Sequence, residues 1–175
     1  MGRISKENYY LDIAETVLER ATCLRRVYGA IIVKNDEIIS TGYNGAPRGR
    51  ANCVDMGYCS REVMQIPRGE RYELCRSIHA EANAIISASR RDMVGGTIYL
   101  VGRDARTGEL LSDATSCMMC RRMVINAGLR KSSSAAARRS LKWWRYRNGW
   151  PRMIFRSPPD KEKNSSTRCN CILYT

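Results

Sequence analysis

His79 is the only histidine in the chain, and it opens the triplet His79-Ala80-Glu81 at the head of an apolar-periodic segment. Downstream stands Cys117-Met118-Met119-Cys120. One imidazole and two thiolates supply three zinc ligands and leave a fourth position open, which separates a catalytic zinc from a closed structural one. His79 and Glu81 fall in the first turn of one helix. A Cys-x-x-Cys opening a second helix points both sulfurs toward one place, where the helix N-terminus favours the thiolate form. Two thiolates cancel the formal charge of Zn²⁺, so a water bound there is less acidic than in an all-histidine site and needs a base to deprotonate it. Glu81 is that base. Either half alone reads as a helix-capping histidine or as two buried cysteines; the two together, with strands and helices in a suitable order, read as a zinc site.

The order H-x-E then P-C-x-x-C is the signature of zinc-dependent nucleobase deaminases. Here Ser116 stands where the proline would be; a proline stiffens the entry to the helix but ligates nothing. Four further stretches carry a closer resemblance: Ala21-Thr22-Cys23-Leu24-Arg25-Arg26, Gly42-Tyr43-Asn44-Gly45-Ala46-Pro47, Tyr72 through Ile85, and Val124-Ile125-Asn126-Ala127-Gly128. From about residue 6 to 129 the chain resembles the deoxycytidylate (dCMP) deaminases of the cytidine deaminase superfamily, close to the bacterial type also found as a competence-operon protein.

That resemblance implies a three-layer αβα, cytidine deaminase-like α/β fold with a mixed sheet. It also implies a hydrolase acting on the C–N bond of a cyclic amidine, converting dCMP to dUMP and ammonia and so supplying dTMP synthesis. Glu81 would take the proton of the attacking water, pass it to ring N3 and assist departure of ammonia from C4. Asn44 would contact the deoxyribose and the Ala80 backbone N–H the pyrimidine, with Arg26 a candidate for the 5′-phosphate. Without the resemblance, Gly42-Tyr43-Asn44-Gly45 is a common turn and Arg26 a salt-bridged surface arginine. Relatives are often homo-oligomers activated by dCTP and inhibited by dTTP. Two alternatives stay open. Another nucleobase deaminase, or a tRNA adenosine deaminase, shares the zinc motif, although the cysteine-bearing segment described next favours the dCMP type. A non-catalytic, competence-type nucleic-acid-binding protein would keep the metal without releasing ammonia.

The elements that must position these residues follow from periodicity. Ile4, Leu11, Ile13, Ala14, Val17, Leu18 and Ala21 mark one face of a first helix, with Ser5 as cap. Val27 to Val33 reads as a buried strand, Lys34-Asn35-Asp36-Glu37 as a tight turn and Ile38 to Tyr43 as its hairpin partner. A long excursion runs from Asn44 to Ser77; its length predicts a functional role or a metal to pin it. The first zinc helix is expected over 79–91, a third strand over 97–101, a loop over 102–115 and the second zinc helix over 117–126, closed by Ala127-Gly128. Arg103 and Arg106 in that loop either reach a phosphate or are simply solvated. With the catalytic pair assigned, Cys23, Cys53, Cys59 and Cys75 remain. Phage relatives resemble this chain in carrying a second, structural zinc, with cysteines matching Cys23 and Cys53 and histidines where Cys59 and Cys75 stand. Four thiolates would tie the excursion to the first helix; the alternative is four ordinary reduced cysteines.

At 175 residues the chain supports one domain with a proper core. No apolar stretch suits a signal or a membrane span, so a cytoplasmic location is expected, and eight cysteines there point to metal or free thiols before disulfides. The net charge of +13 would suggest a nucleic-acid partner. However, residues 1–129 hold 18 Lys+Arg against 15 Asp+Glu, and residues 130–175 hold 12 against 2. The excess belongs to the tail, so neither nucleic acid nor membrane is expected as a partner of the domain over 1–129.

Past Leu129 the resemblance requires further strands, yet the chain reads Arg130-Lys131-Ser132-Ser133-Ser134-Ala135, then all three tryptophans among arginines. That composition predicts no central strand. Shifted back by one base, residues 130–155 are encodable as a sequence containing the strand patterns KVIV and FKVVEV. The bases of Trp143-Trp144 then force a valine, those of Trp150-Pro151 an alanine and those of Met153-Ile154 an aspartate, and all three fit. The tail over 130–175 is therefore expected to be an aberrant, frameshifted and disordered segment. Its rival reading is a basic aromatic arm for single strands. A frameshifted tail would leave the second zinc helix without backing, at a cost of several kcal/mol.

Overall fold

The structure, a computed structural model, describes residues 2–112, 114–135 and 141–145. Its frame is a sheet in the order β2-β1-β3-β4-β5. Strand β1 (Arg26–Lys34) pairs antiparallel with β2 (Glu37–Tyr43) and with β3 (Thr97–Asp104). The β1–β2 turn places Asn35 and Asp36 at φ of 51° and 69°, the left-handed pair that matches the twist of a two-residue hairpin and that Asn and Asp tolerate.

Alternation along the strands divides the core into two layers. On one side Ile31, Val33, Tyr99 and Val101 pack against Tyr10, Leu11, Ala14 and Leu18 of α1 (Lys6–Leu18). Ser5 caps that helix by accepting from the Asn8 N–H at 3.2 Å. On the other side Ala30, Ile32, Ile98 and Leu100 pack against Ala80 and Ala84 of α4 (Ala80–Ile86), Met93 of α5 (Arg90–Met93), and Val124, Ala127 and Leu129 in and just after α6 (Met118–Asn126). Two helices lie directly on glycine backbone. A Cβ on Gly29 would stand 2.1 Å from the Ala14 carbonyl oxygen, and one on Gly42 would stand 2.3 Å from the Ala84 nitrogen and 2.4 Å from the Ala80 carbonyl oxygen. These contacts are to backbone, which cannot swing aside. Gly29→Ala should therefore cost about 3 kcal/mol, the upper end for overpacking, measurable by urea denaturation; an unchanged midpoint would mean that α1 is free to slide.

Three expectations are corrected here. The helix expected over 79–91 stops at Ile86: Ser87 turns its hydroxyl back to the Asn83 carbonyl at 2.8 Å, and Ser89 starts α5 by accepting from the Asp92 N–H. The third strand runs on to Asp104 because β1 continues opposite it as far as Arg26. The sheet does extend past Leu129: β4 (Lys131–Ala135) pairs parallel with β3, and β5 (Leu141–Arg145) pairs antiparallel with β4. Such a ladder is made of backbone groups, which any non-proline residue supplies, so serine-rich composition did not forbid it. The sheet is mixed, as expected. The helix α6 is also backed, with Val124 and Cys120 fully buried. Beyond these two strands, the expectation of a frameshifted, disordered tail, together with Cys169 and Cys171, falls outside the described residues. Among the described residues no helix is long and apolar enough to cross a membrane.

Candidate metal centre and active site

The excursion after β2 begins and ends at one point. Gly45 and Ile78 exchange both backbone hydrogen bonds, at 3.2 and 2.8 Å, forming an isolated antiparallel bridge immediately before His79. Residues 46–77 hold the short helices α2 (Cys53–Met56) and α3 (Ser60–Val63) and a 3-10 turn at Tyr72–Leu74. Asn52 ties the excursion to the end of α1, its Oδ1 accepting from the Thr22 hydroxyl at 2.9 Å and from the Ala46 N–H at 3.3 Å.

His79 is the N-cap of α4 and Cys117 the N-cap of α6. The His79 Nδ1 lies 3.3 Å from Cys117 Sγ and 3.4 Å from Cys120 Sγ. Ligand atoms of these three residues all lie within 4.8 Å of one another, and this is the one such group among the described residues. The donor set of one nitrogen and two sulfurs fits zinc with an open position. Electrostatics fit as well. The Cys117 thiol is pulled down to about 4, first by its hydrogen bond with Cys120 and then by His79. Cys120 is pushed up by the neighbouring Cys117, by burial and by Glu81. These sulfurs and a carboxylate cannot all carry charge without a cation, and a divalent cation among them reverses that balance. His79 is raised overall: burial lowers it, but the Cys117 contact and the Glu81 charge outweigh burial.

Glu81 sits on the first turn of α4 and is 4% exposed. Burial pushes its carboxyl up, offset in part by its own backbone N–H, by His79 and by the hydroxyl of Ser116. Ser116 is buried; the sequence alone treated it only as a missing proline, and nothing in residue type announced that it would face the glutamate. A buried carboxyl raised above its ordinary value beside a metal-ligand cluster is suited to moving protons.

The remaining candidates are placed as follows. Asn44 is buried, its Nδ2 donating to the Arg26 carbonyl at 2.9 Å and its Oδ1 accepting from the Tyr28 N–H at 2.7 Å. Its amide thus continues the β1–β2 ladder and, among the described residues, keeps one N–H and one lone pair over. Asn44→Ala removes both of these hydrogen bonds and should cost about 2 kcal/mol in thermal unfolding, whatever it does to substrate binding. A melting temperature equal to the parent's would contradict that. Ala80 is fully buried at the start of α4. Arg26 faces Asp104 across the β1–β3 ladder and contributes to holding that carboxyl low, after the Arg106 and Thr107 backbone N–H groups. Arg103 and Arg106, read as reaching a phosphate or solvated, are both in ion pairs, and Arg106 is also exposed to solvent. Arg103 joins Glu15 at 2.9 Å and Glu19 at 2.7 Å, and Arg106 joins Glu62 at 3.0 Å. Cys23, Cys53, Cys59 and Cys75 share a neighbourhood: burial first, then the charges of the other three, raise the Cys53 thiol. All four are free cysteines, and their sulfurs do not reach the mutual approach of the His79 group.

Residues 4–136 match the family described as the cytidine and deoxycytidylate deaminase zinc-binding region. A deoxycytidylate deaminase of Mycobacterium phage D29 is 37% identical over 105 residues, covering 57% of this chain and 80% of the phage protein. One from Schizosaccharomyces pombe is 30% identical over 129 residues, covering 74% of this chain but 36% of the yeast protein, so the chain spans about a third of that relative. The dCMP deaminase of cyanophage S-TIM5, solved with dCMP and dUMP, superposes with a TM-score of 0.50 at 24% identity, over 75% of this chain and 83% of that one. That superposition supports the fold, and together with the matched region and the placement of His79, Glu81, Cys117 and Cys120 it leads to one assignment: the chain belongs to the cytidine and deoxycytidylate deaminase zinc-binding family.

Proposed function

We propose that the protein hydrolyses dCMP to dUMP and ammonia, with a zinc ion held by His79 Nδ1 and the sulfurs of Cys117 and Cys120. The observation that carries this reading is the convergence of those three donors beside the buried Glu81. Zinc, when bound, supplies the positive charge that makes a water acidic at neutral pH. The chain's own groups do the rest. Glu81 accepts the water's proton and delivers it to N3 of the pyrimidine, then takes the second proton from the hydroxyl now on C4 and gives it to the amine as the C4–N bond breaks. The Ala80 N–H, at the open first turn of α4, donates to the base; the spare N–H and lone pair of Asn44 meet the deoxyribose; Arg26 is the candidate for the phosphate. The S-TIM5 enzyme's dCMP and dUMP and the D29 protein's name support this substrate. Supply of dTMP synthesis, a cytoplasmic location, assembly into homo-oligomers and control by dCTP and dTTP belong to the same reading and rest on the resemblance.

Ammonia release from dCMP, cytidine, deoxycytidine and an adenosine-bearing tRNA tests the substrate. Turnover confined to dCMP is expected; turnover of the tRNA instead, or bound metal with no ammonia from any of them, would overturn it. The latter outcome is the one a non-catalytic relative would give. We further propose that Cys23, Cys53, Cys59 and Cys75 close on a second, structural zinc. Elemental analysis should then find two zinc ions per chain, falling to one in Cys53→Ser; one in the parent would leave these as reduced thiols.

A further inference from the structure

We propose that Arg61 and Tyr72 form a positioning stack that fixes the ring of His79 and thereby ties the 46–77 excursion to the metal centre; this rests on the zinc reading above. A histidine that ligates a metal through one ring nitrogen normally has its other ring nitrogen held by a carbonyl or carboxylate, which sets the ring's rotation. Among the described residues the His79 ring makes hydrogen-bond contacts only to the two sulfurs, both through Nδ1. What meets the ring is Tyr72, edge-on, with centroids 4.8 Å apart and planes at 83°. Edge-to-face packing is an orienting contact, because the positive rim of one ring meets the negative face of the other.

Tyr72 is itself held. The guanidinium of Arg61 lies 4.7 Å from its ring centroid, in cation–π range. Arg61 is 4% exposed, although it lies on a four-residue helix in a surface excursion. Its planar fork donates to the carbonyls of Pro67 at 2.7 Å and Arg71 at 3.1 Å, and to that of Glu70. Among the described residues no carboxylate pairs with it. A buried cation spent wholly on backbone carbonyls and one ring face has a local task, and these carbonyls belong to the segment that delivers Tyr72. Arg71, just before Tyr72, adopts φ 45°, a left-handed conformation that a non-glycine residue keeps only where its surroundings impose it. Arg61 grips that same residue's carbonyl. The chain of contacts runs from α3, through Arg61 and Tyr72, to the ring of His79. Tyr72 acts through another residue and touches no reacting atom in this scheme, so it is a positioning residue.

The sole histidine makes the test clean, since its ring gives one set of NMR signals. In the metal-free full-length protein the His79 ring protons should carry a ring-current shift from Tyr72, lost in Tyr72→Leu and kept in Tyr72→Phe. Cobalt(II) loaded in place of zinc should bind about tenfold more weakly in Tyr72→Leu, as for loss of other orienting partners. That variant should also show altered visible ligand-field bands, a kcat for dCMP reduced about tenfold and a KM within about twofold of the parent's. Tyr72→Phe should match the parent in all of these. Tyr72→Leu with the parent's ring shifts, cobalt spectrum and affinity would overturn the stack. Should circular dichroism show Tyr72→Leu unfolded, Arg61→Lys decides: it keeps the cation but loses the fork, so a weakened affinity and shifted spectrum are expected, and unchanged values overturn the proposal. A parent that takes up no cobalt would instead refute the zinc reading itself.

Discussion

Glu81→Gln should release ammonia from dCMP at least about 10³-fold more slowly than the parent while retaining its zinc. The substitution is nearly isosteric, which matters at a side chain 4% exposed on the first turn of α4. A shape change there would disturb Ala80 and Ala84, on which the helix rests against Gly42. Glutamine keeps an acceptor and the volume but cannot take up and return a proton. Glu81 lies outside the three-donor group, so metal content should be unchanged. Burial raises the Glu81 carboxyl above its ordinary value, and a raised carboxyl gives up its proton later as pH rises. The parent's low-pH limb of kcat/KM should therefore lie above the ordinary carboxylate range and be absent from the variant's residual rate. A variant that deaminates at the parent's rate would end the proton-shuttle assignment.

Cys120→Ala should abolish turnover and the binding of metal at the His79 group. Its sulfur is one of three donors and is fully buried on the first turn of α6, and a water filling the space it leaves would not supply the thiolate's charge. Structural consequences follow by linkage, because a ligand bound only by the native state stabilises it by about 4 kcal/mol at a thousand times its Kd. Adding zinc to metal-free parent should raise the melting temperature further than the same addition to Cys120→Ala, in which only the four-cysteine group can still bind it. Stripping the parent with a chelator should reproduce the variant's inactivity and be reversed by zinc, whereas the variant should stay inactive. Equal zinc-dependent stabilisation of the two proteins would refute Cys120 as a ligand.

His79, Glu81, Cys117 and Cys120 were legible before any coordinates because metal chemistry demands those residue types at helix starts, and spacing within each helix is local information. The α1–sheet layer was legible for a similar reason: Leu11, Ala14 and Leu18 repeat at helical period, and Ile31 and Val33 alternate toward them. The break between α4 and α5 is written in the sequence, since Ser89 followed by Asp92 is a capping pattern. Strand β4 was not legible, because a Lys-Ser-Ser-Ser-Ala segment pairs through backbone groups that composition does not report. The role of Arg61 was equally hidden. Its burial depends on three carbonyls six to ten residues downstream, and a sequence does not show where carbonyls will point. Arg103 and Arg106 illustrate the reverse, since their partners Glu15, Glu19 and Glu62 lie in distant parts of the chain.

The two backbone hydrogen bonds joining Gly45 to Ile78 make the intervening stretch a cassette. Its entry and exit are fixed side by side, so closing it costs the scaffold almost the same for a short insert as for a long one, the entropy of closure growing only with the logarithm of length. Evolution can therefore swap, shorten or enlarge what hangs there without moving the helix that follows, provided that the stem survives. Diversification among related chains should concentrate between those two residues, and grafting a foreign stretch onto this stem should leave the hairpin and the helices that start at His79 and Cys117 in register, while losing the Arg61–Tyr72 contact to the His79 ring.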